Sequence, residues 1–396
     1  MKQKVEDLAI FGGEPVFTQV RPRGQLDAGS PATFFKYVKD SFLNRRITNF
    51  GPNVRLLEKK LCEYHNVEFC VTFCNACIAT LALIEACLQI RKGKNVIIPA
   101  FTYAGLPHLP IWNNLTPVFC DSDLETHTID IEAIRRSVNS DTVAIIGVHQ
   151  VNSPCAINEI EEIAGERQIP LIFDAVYGVH CTYHGKRIGG FGNAEIFSLH
   201  ATKLINGFEG GYITTNDPGL ARKLHKISTF GFASKDKISC FGLNGKLNEI
   251  HAALALASLE KVEGVVQQNK HRYDLYRDYF KDMTGCSILQ YRDGAQYNYS
   301  FVIFEVDSAW RLSRDEICQI CTKENAYVKP YYSLPLHLSH QIPMIKDRPA
   351  LPNTERLSKR FVSMPVGRFV DEETIRRIAD LFRFIKDNDG EISEKL

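Results

Sequence analysis

Apolar and polar positions alternate along this chain in two periods, and the switching between them defines its layout. Between about residues 54 and 230, short unbroken apolar runs take turns with segments of helical periodicity. VEFCVTF, NVIIPAF, PVFCDSD, VAIIGVHQ, PLIFDAV, AEIFSLH and GGYITTN read as strands, mostly apolar over four to seven residues and bounded by turn formers. VRLLEKKLCEYH, ACIATLALIEACLQI, IDIEAIRRSV and NEIEEIAGERQ read as helices between some of them. Such alternation predicts an α/β fold, a mostly parallel sheet wrapped by helices. A long helix is expected from Leu247 to about Lys270. After it the pattern turns antiparallel, with YNYSFVIFEVD and AYVKPYYSLPL ahead of a closing helix DEETIRRIADLFRFIK. This predicts a large domain over 1–265 and a smaller α+β domain over 266–396.

Composition narrows the partners. A net charge of +1 with 23% charged residues gives no reason to expect nucleic acid or an anionic membrane. The first residues, MKQKVEDLAIFGGEPVF, carry no apolar core of a signal peptide, and no window nears eighteen uninterrupted apolar residues. A cytoplasmic protein is expected. The 12 cysteines are irregularly spaced, several inside apolar runs, as buried reduced thiols would be. Two CxxC pairs, Cys74/Cys77 and Cys318/Cys321, lie far apart. DEICQICTKENA is amphipathic, so ordinary helical periodicity accounts for the second pair, and no metal site is expected.

The candidate chemistry centres on FSLHATKLINGFEGG, Phe197 to Gly211, which sets Lys203 in a short polar turn between an apolar strand and a glycine-rich return. A lysine acts as a covalent catalyst when its amine is held still and can be neutral, the condition for a Schiff base with an aldehyde. Upstream, PLIFDAVYG ends an apolar strand in Asp174. Carboxyl ends of parallel strands are where such sheets bind ligands. A lysine for an aldehyde and a carboxylate for a pyridinium are the two protein groups that pyridoxal 5'-phosphate (PLP) most needs. No GxGxxG opens a helix, and GGFG at Gly189–Gly192 has the wrong spacing for a dinucleotide site.

Through LAIFGGEPVF, TNFGP, IIPAFTYAG, GVHQVNSPC, FDAVYG, FSLHATK, FEGG, GLNGKLNEIHAALALASLE and LPNTERLSKRFVSMPV, in order along nearly the whole chain, the sequence resembles the DegT/DnrJ/EryC1/StrS family of PLP-dependent sugar aminotransferases. The resemblance implies PLP-dependent transferase fold type I, the aspartate aminotransferase-like fold. It implies that Lys203 carries the cofactor and then shuttles the proton, and that Asp174 pairs with the pyridine nitrogen. Tyr103 would stack on the ring, and Ala76, Cys77 and Ser198 would hold the phosphate. The family usually has Gly-Thr where this chain has Ala76-Cys77, which removes a hydroxyl but keeps the backbone amides. Tyr177 stands where His or Gln is usual, beside the cofactor's phenolic oxygen.

Asn244 corresponds to an asparagine that reaches the partner subunit's cofactor, which implies a homodimer with shared sites. On residue type alone it is a turn asparagine beside glycine. His149 and His200 are expected to be structural, and His184 to lie near the substrate entrance.

The implied activity is amination of a nucleotide-linked keto-sugar by an amino-acid donor, glutamate or glutamine. HATK, FEGG, NFGP and IIGVH look most like the members that aminate C4 of dTDP-4-dehydro-6-deoxy-D-glucose, giving the 4-amino-4,6-dideoxy sugar. Such sugars enter surface polysaccharides such as O-antigens, or glycosylated natural products. Amination at C3 stays open, as does a non-catalytic PLP-binding regulatory protein. A sugar dehydratase of the same fold carries histidine in place of the lysine, which Lys203 opposes.

Overall fold

The structure, a computed structural model, describes residues 2–396 except 25, 26, 28, 293, 294, 340, 341, 343, 344, 346 and 347. In chain order its first strands are β1 (Phe69–Phe73), β2 (Asn95–Pro99), β3 (Thr116–Cys120), β4 (Thr142–Val148) and β5 (Leu171–Asp174). A small hairpin, β6 (Thr182–Tyr183) and β7 (Lys186–Arg187), precedes β8 (Ala194–Ser198) and β9 (Gly211–Thr215). Seven of these form one sheet in the order β1-β9-β8-β5-β4-β2-β3. The contacts among β8, β5, β4, β2 and β3 are parallel, and only β9 opposes its neighbours. All seven expected strands are present, and the sheet is mostly parallel as the alternation required. Every residue of β4 is buried, which is why TVAIIGV reads as a continuous apolar run: both faces of this central strand are covered.

The strand order fixes where ligands can sit. β1, β2, β4, β5 and β8 all end on one edge, and because β9 runs the other way, the loop 199–210 doubles back over that same edge. β1 leads there into the helix Ala76–Leu88, whose N-cap Asn75 accepts from the Ile78 N–H at 2.8 Å. Phe73 pairs with Gly211, so the helix start and the end of the lysine loop are neighbours. A Cβ on Gly211 would stand 2.5 Å from the Ala76 nitrogen, and only glycine lets the two approach so closely.

A hairpin of β10 (Phe232–Ser234) and β11 (Lys237–Ile238) follows, and then a second sheet. Its strands are β12 (Cys286–Ile288), β13 (Ile303–Val306), β14 (Lys329–Pro330) and β15 (Phe361–Ser363), all antiparallel in the order β12-β13-β15-β14. The single helix expected from Leu247 to Lys270 is two, Glu249–Leu259 and Val262–Phe280. The first is apolar on nearly every side and buried. The second turns an amphipathic face to new neighbours, so the axis breaks at Glu260–Lys261. Val262 and Val266 bury in the large-sheet core, whereas Tyr273, Tyr276 and Phe280 bury with the C-terminal elements. Val5, Leu8 and Phe17 join that C-terminal core as well. Cys318 and Cys321 lie on the helix Arg314–Lys323, buried in the same apolar cluster. The described residues contain no cluster of three or more His, Cys, Asp or Glu able to hold a metal. None of their helices is long and apolar enough to cross a membrane.

Candidate active site at the carboxyl edge of the sheet

A cavity of about 650 Å³ opens on that edge. Ala76, Cys77, Tyr103, Asp174, Tyr177, Ser198 and Lys203 all line it, so seven of the eight residues singled out in the sequence share one space. The eighth, Asn244, lies outside the cavity of its own chain. It is exposed, forms an isolated bridge with Thr229, and accepts from the Lys246 ammonium at 2.6 Å.

The lysine loop is held by its own backbone. The Leu199 N–H donates to Gly210 O at 2.8 Å, Ala201 to Phe208 at 2.9 Å, Gly207 to Leu199 at 2.8 Å and Lys203 to His200 at 2.9 Å. The Lys203 Nζ sits 4.5 Å from the centre of the Tyr177 ring, a cation–π distance. Beside it, Asp174 Oδ1 accepts from the Val176 N–H at 3.1 Å. Burial raises the Asp174 carboxyl above its usual range, against the Val176 N–H and the Lys203 charge, which pull it down. A cation brought against this carboxyl would favour its ionised form.

At the start of the helix Ala76–Leu88, the first amides have no partner within the helix, and they open into the cavity with Ala76 and Cys77. This is an anion-binding arrangement. Burial raises the Cys77 thiol, with Asp174 and Glu209 adding to the effect, so the residue brings no negative charge there near neutral pH. Ser198, at the end of β8, accepts from the His200 N–H at 3.2 Å. Tyr103 is 61% exposed, its ring standing at the cavity rim.

His200 lines the cavity, its Nδ1 2.9 Å from Thr202 Oγ1 and its Nε2 3.7 Å from Glu209. His149 does not. It is buried, stacked on Phe173 with centroids 5.0 Å apart, and takes a hydrogen bond from the Cys155 N–H at 3.1 Å. His184 occupies the turn of the β6–β7 hairpin and is not among the residues that line the cavity.

Several wall residues escaped the sequence reading. Phe301 and Tyr332 come from the C-terminal unit, and Phe301 meets Tyr177 edge-on at 5.1 Å. Tyr332 and Tyr331 share Gln150 Oε1, at 3.3 Å and 2.7 Å. Arg23, Thr102 and Glu209 also face in. Nothing in the local pattern marks them, apart from the place of Glu209 in FEGG.

Residues 30–383 match the DegT/DnrJ/EryC1/StrS aminotransferase family. The chain belongs to this family. It is 29% identical over 359 residues to the dTDP-4-amino-4,6-dideoxy-D-glucose transaminase of Escherichia coli, spanning 88% of this chain and 94% of that one. The crystal structure of DesI in the presence of its TDP-sugar product superposes with a TM-score of 0.93 at 32% identity, covering 99% of both chains. PseC of Helicobacter pylori, an aminotransferase involved in the biosynthesis of pseudoaminic acid, shares the fold, with a TM-score of 0.85 at 21% identity over 96% of this chain and 100% of its own. The protein is thus an aminotransferase of fold type I, and the seven-stranded sheet with its single reversed strand is the core of that fold.

Proposed function

We propose that the enzyme is a PLP-dependent nucleotide-sugar aminotransferase that converts dTDP-4-dehydro-6-deoxy-D-glucose to the 4-amino-4,6-dideoxy sugar, with glutamate or glutamine as donor. The observation that carries this is the meeting of Lys203, Asp174 and the free amides of Ala76 and Cys77 in one cavity. The donor set fits the cofactor: an amine, a half-buried carboxyl that accepts no hydrogen bond from a cation among the described residues, and a helix start suited to a phosphate. Bound there, PLP supplies an aldehyde that exchanges amines and a ring that accepts electrons from an adjacent C–H bond.

The chain's own residues do the rest. Lys203 Nζ anchors the cofactor and, once released, takes a proton from the donor carbon and returns one to the sugar carbon. Asp174, ionised by its cationic partner, keeps the proton on the pyridine nitrogen. Ser198 and the amides of Ala76 and Cys77 would hold the phosphate, Tyr103 would cover the ring, and Tyr177 would stand near it, next to Lys203. The donor would hand over its amine first and leave as its 2-oxo acid before the keto-sugar enters, so one cavity would serve both substrates in turn.

The working unit in this reading is a homodimer whose partner supplies Asn244. Supporting it, exposed apolar side chains cluster on two elements, as an interface between copies would need. Phe35, Phe42 and Leu43 stand out from the helix Pro31–Leu43, while Ile238 and Phe241 stand out on and beside the β10–β11 hairpin, a few residues before Asn244 in the chain. The 12 unpaired cysteines fit a reducing cytoplasm.

Purified protein incubated with PLP and reduced with borohydride is expected to carry the pyridoxyl label on Lys203. With glutamate and a panel of nucleotide 4-keto and 3-keto sugars, mass and NMR analysis is expected to find the 4-amino product. A label elsewhere, or no aminated sugar, overturns the reading; amination at C3 alone overturns the substrate assignment.

A further inference from the structure

The cavity holds a cation that the chemistry above does not use. The N-terminal strap is pinned on both sides of it. Arg21 forms a parallel bridge with Ala326: its N–H donates to Asn325 O at 2.8 Å, and its carbonyl accepts from the Tyr327 N–H at 3.1 Å. Three residues on, Gly24 is buried so closely against the lysine loop that a Cβ there would stand 3.2 Å from the Thr202 Cβ. Between these anchors Pro22 fixes its own φ, and Arg23 follows as a wall residue of the cavity.

Arg23 makes no hydrogen bond or ion pair with any described residue. The other charges of the wall are spoken for. His200 faces Glu209 at 3.7 Å, and Lys203 and Asp174 are assigned to the cofactor. A guanidinium stays charged at any working pH and offers a planar fork of donors. Half-buried and without a counter-ion among the described residues, it favours an oxyanion, through two parallel charge-assisted hydrogen bonds.

Resting on the function proposed above, we propose that Arg23 is the oxyanion clamp for the exchanging substrates, binding either the carboxylate of the amino-acid donor or the diphosphate of the nucleotide sugar. Both ligands carry that chemistry, and both must enter through the cavity that Arg23 lines. The strap carries Arg23 on a segment tied to the C-terminal elements at Asn325–Tyr327 and to the lysine loop at Thr202, so the backbone that bears the fork is fixed before any ligand arrives.

The test is calorimetric titration of the PLP-loaded enzyme with two unreactive probes, glutarate for the carboxylate and thymidine diphosphate for the diphosphate. Arg23→Met, which keeps the stem and removes the charge, is expected to weaken at least one probe tenfold or more, and Arg23→Lys to recover part of the loss. Cofactor absorbance and melting temperature should stay as in the wild type. Loss confined to glutarate assigns the donor carboxylate; loss confined to thymidine diphosphate assigns the nucleotide. Affinities within twofold of wild type for both probes overturn the proposal, as does a wild-type enzyme that binds neither. The parent reading is judged separately, by whether the wild-type enzyme aminates a keto-sugar at all.

Discussion

Replacing Gly211 by alanine tests whether the helix start beside β9 is the phosphate cradle. The added Cβ would lie 2.5 Å from the Ala76 nitrogen, 2.6 Å from the Ala76 Cα and 2.7 Å from the Asn75 carbonyl carbon, all backbone atoms. Ordinary contact begins at 3.4 Å, so strand and helix start must part by about 0.9 Å. Gly211 pairs with both Phe73 and Ser198, which ties it on two sides, so most of that movement falls on the helix start. Overpacking of this kind costs about 1–3 kcal/mol of stability. A shift approaching 1 Å also takes the Ala76 and Cys77 amides beyond hydrogen-bond reach of a ligand seated by Lys203 and Asp174. Hydrogen bonds to a charged group are worth about 1.5–3 kcal/mol each. Losing one weakens PLP binding by ~10- to 100-fold. Equilibrium dialysis with absorbance detection gives the cofactor affinity, and circular dichroism melting of the apo-protein gives the stability. A folded Gly211→Ala variant with PLP affinity within twofold of wild type would refute the cradle, because the clash leaves the amides no room to stay in place.

Asp174→Asn removes the anion at nearly constant shape, and since burial already disfavours the charge, the fold should hold its melting temperature. Stopped-flow monitoring of glutamate deprotonation should fall by about 100-fold or more, the size of losing one charged contact in a water-poor site; an unchanged rate would place the essential acid elsewhere. Mixing inactive Lys203→Ala and Asn244→Ala subunits should restore part of the activity, since a heterodimer with Asn244 acting across the interface keeps one intact site. No recovery, with heterodimers confirmed by mass, would mean that Asn244 serves its own chain. Burial pulls His65 and His127 down to about 4 and His149 to about 3, from an ordinary 6.5. Between these values and 6.5 the unfolded chain binds protons that the native chain does not, so stability falls as pH drops through that window. Each histidine contributes about 1.4 kcal/mol per pH unit. Urea midpoints should therefore be clearly lower at pH 5 than at pH 7, and equal midpoints would contradict the buried neutral state.

Most elements and the chemical identity of the main groups are legible along the chain. β4 and β5 are legible because strands covered on both faces must be apolar throughout; Asp174 stands out because it ends such a run, and Lys203 because it sits in the short polar turn between β8 and a glycine-rich return. The order of motifs along the chain carried the family. Tertiary structure alone decided which distant residues meet. That Gly211 abuts Ala76, and that the lysine loop folds back over the carboxyl edge, follows from β9 being inserted antiparallel between β1 and β8. Strand order is a long-range choice that periodicity does not encode.

Phe301, Tyr332 and Arg23 enter the cavity from segments far off in sequence, whose local pattern says only strand end or loop. The break at Glu260–Lys261 belongs here too, because two helical stretches run on in sequence and only their packing against different cores turns the axis between them. Local periodicity is set by which face each residue buries; convergence is set by how those faces find one another, and that is a property of the packed chain.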